Sequence, residues 1–264
     1  YYNKGELEGN ARYYHPNGGV WKIIPYAKNQ IHGMQKIFLP SGEIFQTTEY
    51  VNGAKEGHAT RYWDISHIAF HEKYIEGSLE EGTYYDREGK VVSGIKNGKG
   101  FRAIFGRETL ERLEEFQGGK EEGSVRIFDE EGRVVCTYQV KEGEKHGEEL
   151  SYYDNSEKPK LLLTWNKGVL QGIMKTWYEN GNLESQREVS QNQKSGLLTA
   201  WYENGALMLV EEYDQDNLLK GEYFRLGEKE PVSKVENGKG VATLFSNDGS
   251  FSHKIYYQNG KPLD

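Results

Sequence analysis

The 264-residue chain predicts an all-β fold: an elongated, solenoid-like antiparallel meander of about eleven stacked β-hairpins. Three observations carry that expectation. Glycines recur at Gly9, Gly33, Gly57, Gly82, Gly100, Gly123, Gly147, Gly172, Gly196, Gly221 and Gly240, most of them 23 to 25 residues apart. Between them lie short stretches of alternating character bounded by Gly and Asn, the mark of brief strands and tight turns. The aromatic side chains (19 Tyr, 10 Phe, 5 Trp) fall at fixed offsets from those glycines.

Each unit reads as two strands and two turns. One end carries Asn180-Gly181, Asn204-Gly205 and Asp248-Gly249, which predict type I′ hairpin turns with both central residues at positive φ. Asn52-Gly53, Asn97-Gly98, Lys167-Gly168, Asn237-Gly238 and Asn259-Gly260 mark the turn at the other end. One segment competes with this scheme, because Leu110, Leu113 and Phe116 sit at helical spacing. Its unit keeps the ordinary length between glycines, so a strand is expected there too.

Two spacings are short, 18 residues from Gly82 to Gly100 and 19 from Gly221 to Gly240. The first five repeat glycines map onto the last five at shifts of 138 to 140 residues. Val92–Gly100 also resembles Val232–Gly240. We therefore expect one repeat domain over 1–264, duplicated internally as about 1–138 and 139–264. Five residues after the glycines stand Tyr14, Phe38, Tyr62, Phe105, Phe128, Tyr152, Trp177, Trp201 and Phe245. A return-strand column runs Tyr26, Tyr50, Tyr74, Phe116, Trp165, Tyr213 and Tyr257. Stacked hairpins make such residues cross-strand neighbours, and the two columns are expected to form the core of a single-layered sheet. With two strands per unit at about 4.8 Å each, eleven units extend roughly 100 Å.

The Trp-Tyr-Glu-Asn-Gly boxes at Trp177–Gly181 and Trp201–Gly205, with Asn166-Lys167-Gly168 leading to Gly172, resemble the bacterial variant of the MORN repeat found in YwqK-like proteins. Asn3–Gly9, Val51–Gly57 and Tyr257–Leu263 fit its inter-hairpin part. The likeness is strong over 140–210 and loose over 60–115, where Asp64-Ile65-Ser66-His67 replaces the usual Asn-Gly turn. It implies stacked hairpins and a non-enzymatic protein-interaction scaffold, antitoxin-like in binding a toxin or a secreted partner. It transfers no catalytic residue. Membrane attachment and dimerisation, described for eukaryotic MORN repeats, come with the name only.

Candidate chemistry is sparse. The partner-binding candidates are the aromatics Trp63, Trp165, Trp177, Tyr178, Trp201 and Tyr202, which serve equally as core. His67 and His71, with Asp64, look like ligands, but i and i+4 on a strand lie about 13 Å apart, so no metal site is assigned. His32 and His146 precede repeat glycines and read as turn residues. Paired carboxylates, including Glu114-Glu115 and Glu211-Glu212, read as solubilising charge, and Cys136 as an ordinary strand thiol. Gly98-Lys99-Gly100 and Gly238-Lys239-Gly240 read as turns, not phosphate loops. No cofactor is expected.

Net charge is −8, from 33 Lys+Arg against 41 Asp+Glu, and each half (1–132, 133–264) carries −4. That balance argues against nucleic acid and against an anionic membrane as partner. Another protein is the expected partner, with a carbohydrate or cell-wall module and a membrane-peripheral repeat protein as alternatives. A homodimer through open sheet edges at Tyr1 and Asp264 is a further expectation. The chain opens at Tyr1 inside the pattern, so an upstream segment is expected, and the compartment stays open.

Overall fold

The computed structural model describes residues 2–3 and 5–263, and the expected sheet edges at Tyr1 and Asp264 lie outside them. Every element of regular structure among the described residues is a β-strand, and neighbours in sequence pair antiparallel. The contested segment is the strand Leu110–Gln117, flanked by Lys99–Phe105 and Lys120–Phe128. Its apparent helical spacing is broken by Glu114, which the strand buries between Leu113 and Phe116. The chain forms two compact units, Tyr1–Gly132 and Arg133–Asp264.

The turns divide into two kinds, and the type I′ turns lie at the end opposite to the one expected. Asn52-Gly53, Asn97-Gly98, Lys167-Gly168, Asn237-Gly238 and Asn259-Gly260 have both residues at positive φ. At the other end only the glycines Gly181, Gly205 and Gly249 are left-handed. There Tyr178 N donates to Asn182 O and Gly181 N to Tyr178 O, closing a wider loop. The Asn180 side chain accepts from Asn182 N at 2.8 Å, and Asn204 and Asp248 do the same for Ala206 N and Ser250 N. These are side-chain-stabilised Asx turns followed by a left-handed glycine, which joins strands through a bulge.

The type I′ turns also stack on one another. Gly53 N donates to Ile31 O and Gly77 N to Lys55 O, hairpin by hairpin. At the short repeat the ladder closes on itself. Gly98 N donates to Glu80 O, Gly119 N to Gly98 O, and Leu79 N to Gly119 O, at 2.9, 3.0 and 3.1 Å. The second unit repeats the ring as Gly238 N to Leu219 O, Gly260 N to Gly238 O, and Leu218 N to Gly260 O. The short spacing thus folds three hairpin turns around a common centre.

That closure decides where the core lies. The first unit's core gathers Ala59, Trp63, Phe70, Tyr74, Leu79, Tyr84, Ile95, Phe105 and Phe116 around the short repeat. The second gathers Leu198, Tyr213, Leu218, Tyr223, Val235 and Ala242 at the equivalent place. The expected continuous aromatic ladder is therefore only partly the core. Tyr74, Phe116 and Tyr213 of the return column are buried, whereas Tyr26, Tyr50, Trp165 and Tyr257 are half-buried. Away from the short repeats the sheet has too little covering it.

Gly98 and Gly238 sit in the ring with no room for a side chain. A Cβ on Gly98 would stand 2.5 Å from Gly119 N, and one on Gly238 2.5 Å from Gly260 N. Gly53 has the same left-handed backbone, with open space around it. Alanine at Gly53 is expected to cost about 1 kcal/mol, the backbone penalty alone. Alanine at Gly98 or Gly238 adds a clash with immobile backbone and is expected to cost about 3 kcal/mol. Urea unfolding midpoints of the three variants measure the difference, and equal shifts would contradict the ring.

Candidate functional site

The sequence-derived aromatic candidates divide by burial. Tyr202 is fully buried and its hydroxyl donates to Phe224 O at 2.8 Å. Buried Tyr178 donates to Trp201 O at 2.8 Å and reaches Asn247 Oδ1 at 3.4 Å. Buried Trp63 donates from Nε1 to Tyr85 O at 3.0 Å and meets Phe105 edge-on at 4.8 Å. These three are ties between successive hairpins and offer a partner no surface. Tyr153, whose hydroxyl donates to Trp177 O, and His15, whose Nε2 lies 3.0 Å from Phe38 O, occupy the same place in their repeats. The position six after the repeat glycine is thus a rung of hydrogen bonds. The Trp-Tyr box gave the signal, since the Tyr holds as fixed an offset as the Trp.

Trp165, Trp177 and Trp201 are only half-buried. Trp165 donates from Nε1 to Glu149 Oε2 at 2.7 Å, and Lys145 pairs with the same oxygen at 2.7 Å while lying over the indole at 5.1 Å. Trp177 pairs across the strand with Leu183, and Trp201 with Leu207, each at a register shift. Tyr14–Val20, Phe38–Ile44, Tyr62–Ile68 and Phe245–Phe251 repeat that pairing. Within each unit this gives a stripe of aromatic–aliphatic pairs, exposed most at Tyr14 and Phe251, each 60% accessible.

The interior holds chemistry the sequence reading assigned to the surface. Alternation on a strand sends one member of a carboxylate pair inward and the other out. Glu114 and Glu211 are buried, so the surface-charge expectation is corrected for both. Glu115 and Glu212 are their less buried neighbours. Glu72, 1% accessible, accepts from Tyr74 Oη and Tyr84 Oη at 2.8 Å each, and from Arg102 Nε at 2.8 Å. Arg102 also reaches Glu114 at 3.9 Å, and Arg112 pairs with Glu114. Glu211 accepts from Tyr213 Oη at 3.0 Å and Tyr223 Oη at 2.7 Å, every residue shifted by 139 from its counterpart. Gly100 and Gly240 hold the same register place, so Ala242 stands where Arg102 does. Burial, and then the carboxyl beside them, push the Tyr74, Tyr84, Tyr213 and Tyr223 phenols far above their ordinary range.

The remaining candidates do not converge. Asp64 accepts from Ser66 N, His67 N and the His67 ring, at 2.9, 3.0 and 2.9 Å, which holds its carboxyl well below the usual range. His71 instead bonds Thr60 Oγ1 at 3.0 Å and stacks on His58 at 4.9 Å. Among the described residues no three His, Cys, Asp or Glu side chains group as metal ligands. His32 Nδ1 lies 3.5 Å from Asn52 N in the next turn, while His146 Nδ1 is buried without a hydrogen-bond partner. Burial raises the Cys136 thiol, and Ser151 Oγ lies 3.7 Å from its sulfur. Gly98-Lys99-Gly100 and Gly238-Lys239-Gly240 lie at hairpin turns that open strands.

Comparison with known proteins agrees with the hairpin unit. The MORN repeat variant family matches at residues 7–28 and 170–190, which supports a MORN-repeat protein. No curated protein matches the chain. A chain in the structure of the Photorhabdus luminescens Tc holotoxin pore is similar at 10% identity and a TM-score of 0.20, over 94% of this chain and 16% of that one. Chains in the TcdB2-TccC3-TEV and TcdB2-TccC3-Cdc42 crystal structures are similar at 11% identity, with TM-scores of 0.15 and 0.13, over 94% of this chain and 18% of each. This chain thus spans under a fifth of those proteins, and likeness at that level carries no argument.

Because the buried phenols have raised pKa values, alkali is expected to destabilise the fold. Unfolded tyrosine loses its proton near pH 10, while Tyr178 is pushed up to about 12 by burial and then by Glu184. Between those values the unfolded chain holds fewer protons, so stability is full below pH 10 and is lost as pH rises toward 12. Melting temperatures across that range test this, and Tyr178→Phe is expected to flatten the decline. At neutral pH, Tyr84→Phe and Tyr223→Phe each remove a donor from a buried carboxyl and are expected to cost about 1–3 kcal/mol. The cost is expected to be larger at Tyr223, where no arginine takes over.

Proposed function

We propose that this chain is a non-enzymatic protein-interaction module whose binding surface is the stripe of aromatic–aliphatic pairs five residues beyond the repeat glycines. One observation carries the reading: the stripe leaves Tyr14 and Phe251 60% accessible, with Ile44 at 41% and Ile68 at 40%. The buried tyrosines, meanwhile, are consumed by hydrogen bonds between hairpins. Contiguous exposed apolar pairs at regular spacing suit an extended partner surface, the common use of repeat arrays. A stable complex buries about 1,200–2,000 Å² in total. The carboxyl clusters suit no hydrolytic role, because their oxygens are already bonded to tyrosines and arginines inside the core.

The test is capture from lysate and cell-surface extract of the source organism by the immobilised chain. Tyr14→Ser/Ile44→Ser and Trp177→Ala/Trp201→Ala variants, shown to be folded, run beside it. Proteins held by the wild type and weakened about tenfold or more by either variant, about 1.4 kcal/mol, are the expected outcome. Retention of glycan alone would replace the reading with a carbohydrate-binding module. Equal retention by all three proteins would remove the stripe from the interface.

A further inference from the structure

We propose that the face of the first unit carrying Arg12, Lys36, His71 and Lys73 docks an acidic, partly apolar polypeptide segment. The proposal rests on the interaction-module reading and names the partner's chemistry. The even charge of the two halves conceals a local excess. Residues 9–42 hold Arg12, Lys22, Lys28 and Lys36 and no Asp or Glu, in a chain with 41 acidic residues.

Strand register places part of that excess in one row. Arg12 pairs with Ile23, Ile23 with Lys36, Lys36 with Thr47, Thr47 with Thr60, and Thr60 with His71. One step along the strands, His58 pairs with Lys73. At about 4.8 Å per strand, the row from Arg12 to His71 runs roughly 24 Å, the length of about seven extended residues. Tyr14, Phe38 and Ile44 lie on the flank of the same face, two residues from Arg12 and Lys36 along the strands and at the loop between them.

These cations are uncommitted. Arg12, Lys36 and Lys73 make no ion pair among the described residues. Glu49, the carboxylate nearest the row in register, accepts from His58 N at 2.7 Å. The second unit supplies the contrast. Its equivalent row is Leu150, Leu162, Lys175, Gln186, Thr199 and Val210, with one cation. Beyond that row its lysines are neutralised, Lys220 by Glu212 at 3.4 Å and Lys234 by Glu222 at 2.8 Å. Duplex nucleic acid presents a charge about every 1.7 Å, far denser than this row. Carboxylates set a few residues apart between apolar side chains match it.

The experiment uses the whole chain and short fluorescent peptides alternating Glu with Leu, Ser with Leu, or Lys with Leu, plus a single-stranded oligonucleotide, read by anisotropy. The Glu–Leu peptide is expected to bind best, to weaken as salt rises, and to lose about tenfold in affinity with Arg12→Glu/Lys36→Glu. Lys175→Glu in the second unit is expected to leave it unchanged. Arg12→Gln/Lys36→Gln, an intermediate loss at an unchanged melting temperature, guards against misfolding as the cause. A Glu–Leu peptide bound no better than Ser–Leu overturns the proposal, and stripe-dependent capture of a protein would survive that result. Tighter binding of the oligonucleotide overturns it in favour of nucleic acid. Self-association abolished by Arg12→Glu/Lys36→Glu overturns it in favour of a second copy of this chain.

Discussion

Three backbone amides hold the architecture of each unit together. In the first they belong to Gly98, Gly119 and Leu79, and in the second to Gly238, Gly260 and Leu218, each donating to the carbonyl of the next turn round. Three turns can meet this closely only if the innermost carries no side chain, a constraint imposed by backbone on backbone. Everything buried depends on it. Tyr84 and Arg102, on strands brought together by the short repeat, reach Glu72 only because the hairpins curl. Where the curl is absent, one sheet layer covers little, and residues such as Trp21 and Tyr13 stand about half in solvent.

The carboxyl at the centre of each curl is a second consequence of the same closure. A buried carboxyl without donors costs several kcal/mol, so its neighbours must supply hydrogen bonds. Two tyrosines do so in both units, and they serve as apolar filling and as donors at once. The copies differ in what completes the set. Arg102 bridges Glu72 and Glu114 in one, whereas small Ala242 fills the corresponding place in the other. Duplication thus preserved the tyrosine–carboxyl geometry and left the counter-ion free to change. The lysine over the return-strand tyrosine is kept as well, Lys55 on Tyr74 at 4.5 Å and Lys194 on Tyr213 at 4.6 Å.

Glycine spacing and aromatic offsets made the hairpin array legible in the sequence, because backbone geometry repeats wherever the chain must turn the same way. The strand at Leu110–Gln117 was legible for the same reason, its unit length outweighing a local helical pattern. What stayed hidden depends on neighbours far along the chain. Nothing in Glu114-Glu115 says which carboxyl faces inward until the strand's phase against Arg102 and Arg112 is known. The short repeats were visible as irregular spacings, but their meaning, a ring of turns, needs three segments up to 40 residues apart. Asn180-Gly181 looked like a two-residue turn because the dipeptide is shared, while the Asn180 side chain selects a wider loop by bonding Asn182 N. Of the aromatic candidates, Tyr178, Tyr202 and Trp63 could not be separated from Trp177 and Trp201 by residue type. Their separation lies in whether the polar tip finds a carbonyl on the next hairpin.

The stacked turns also set how the fold comes apart. Outside the rings, each hairpin is tied chiefly to the one before and the one after, so its loss releases few bonds elsewhere. Inside a ring, removing one turn strands the donors or acceptors of two others together. Fraying that begins among residues 9–51 can therefore advance one hairpin at a time and stop at the first closed ring. Each ring then marks the boundary of a cooperative block, the part of its unit that holds or yields as a whole.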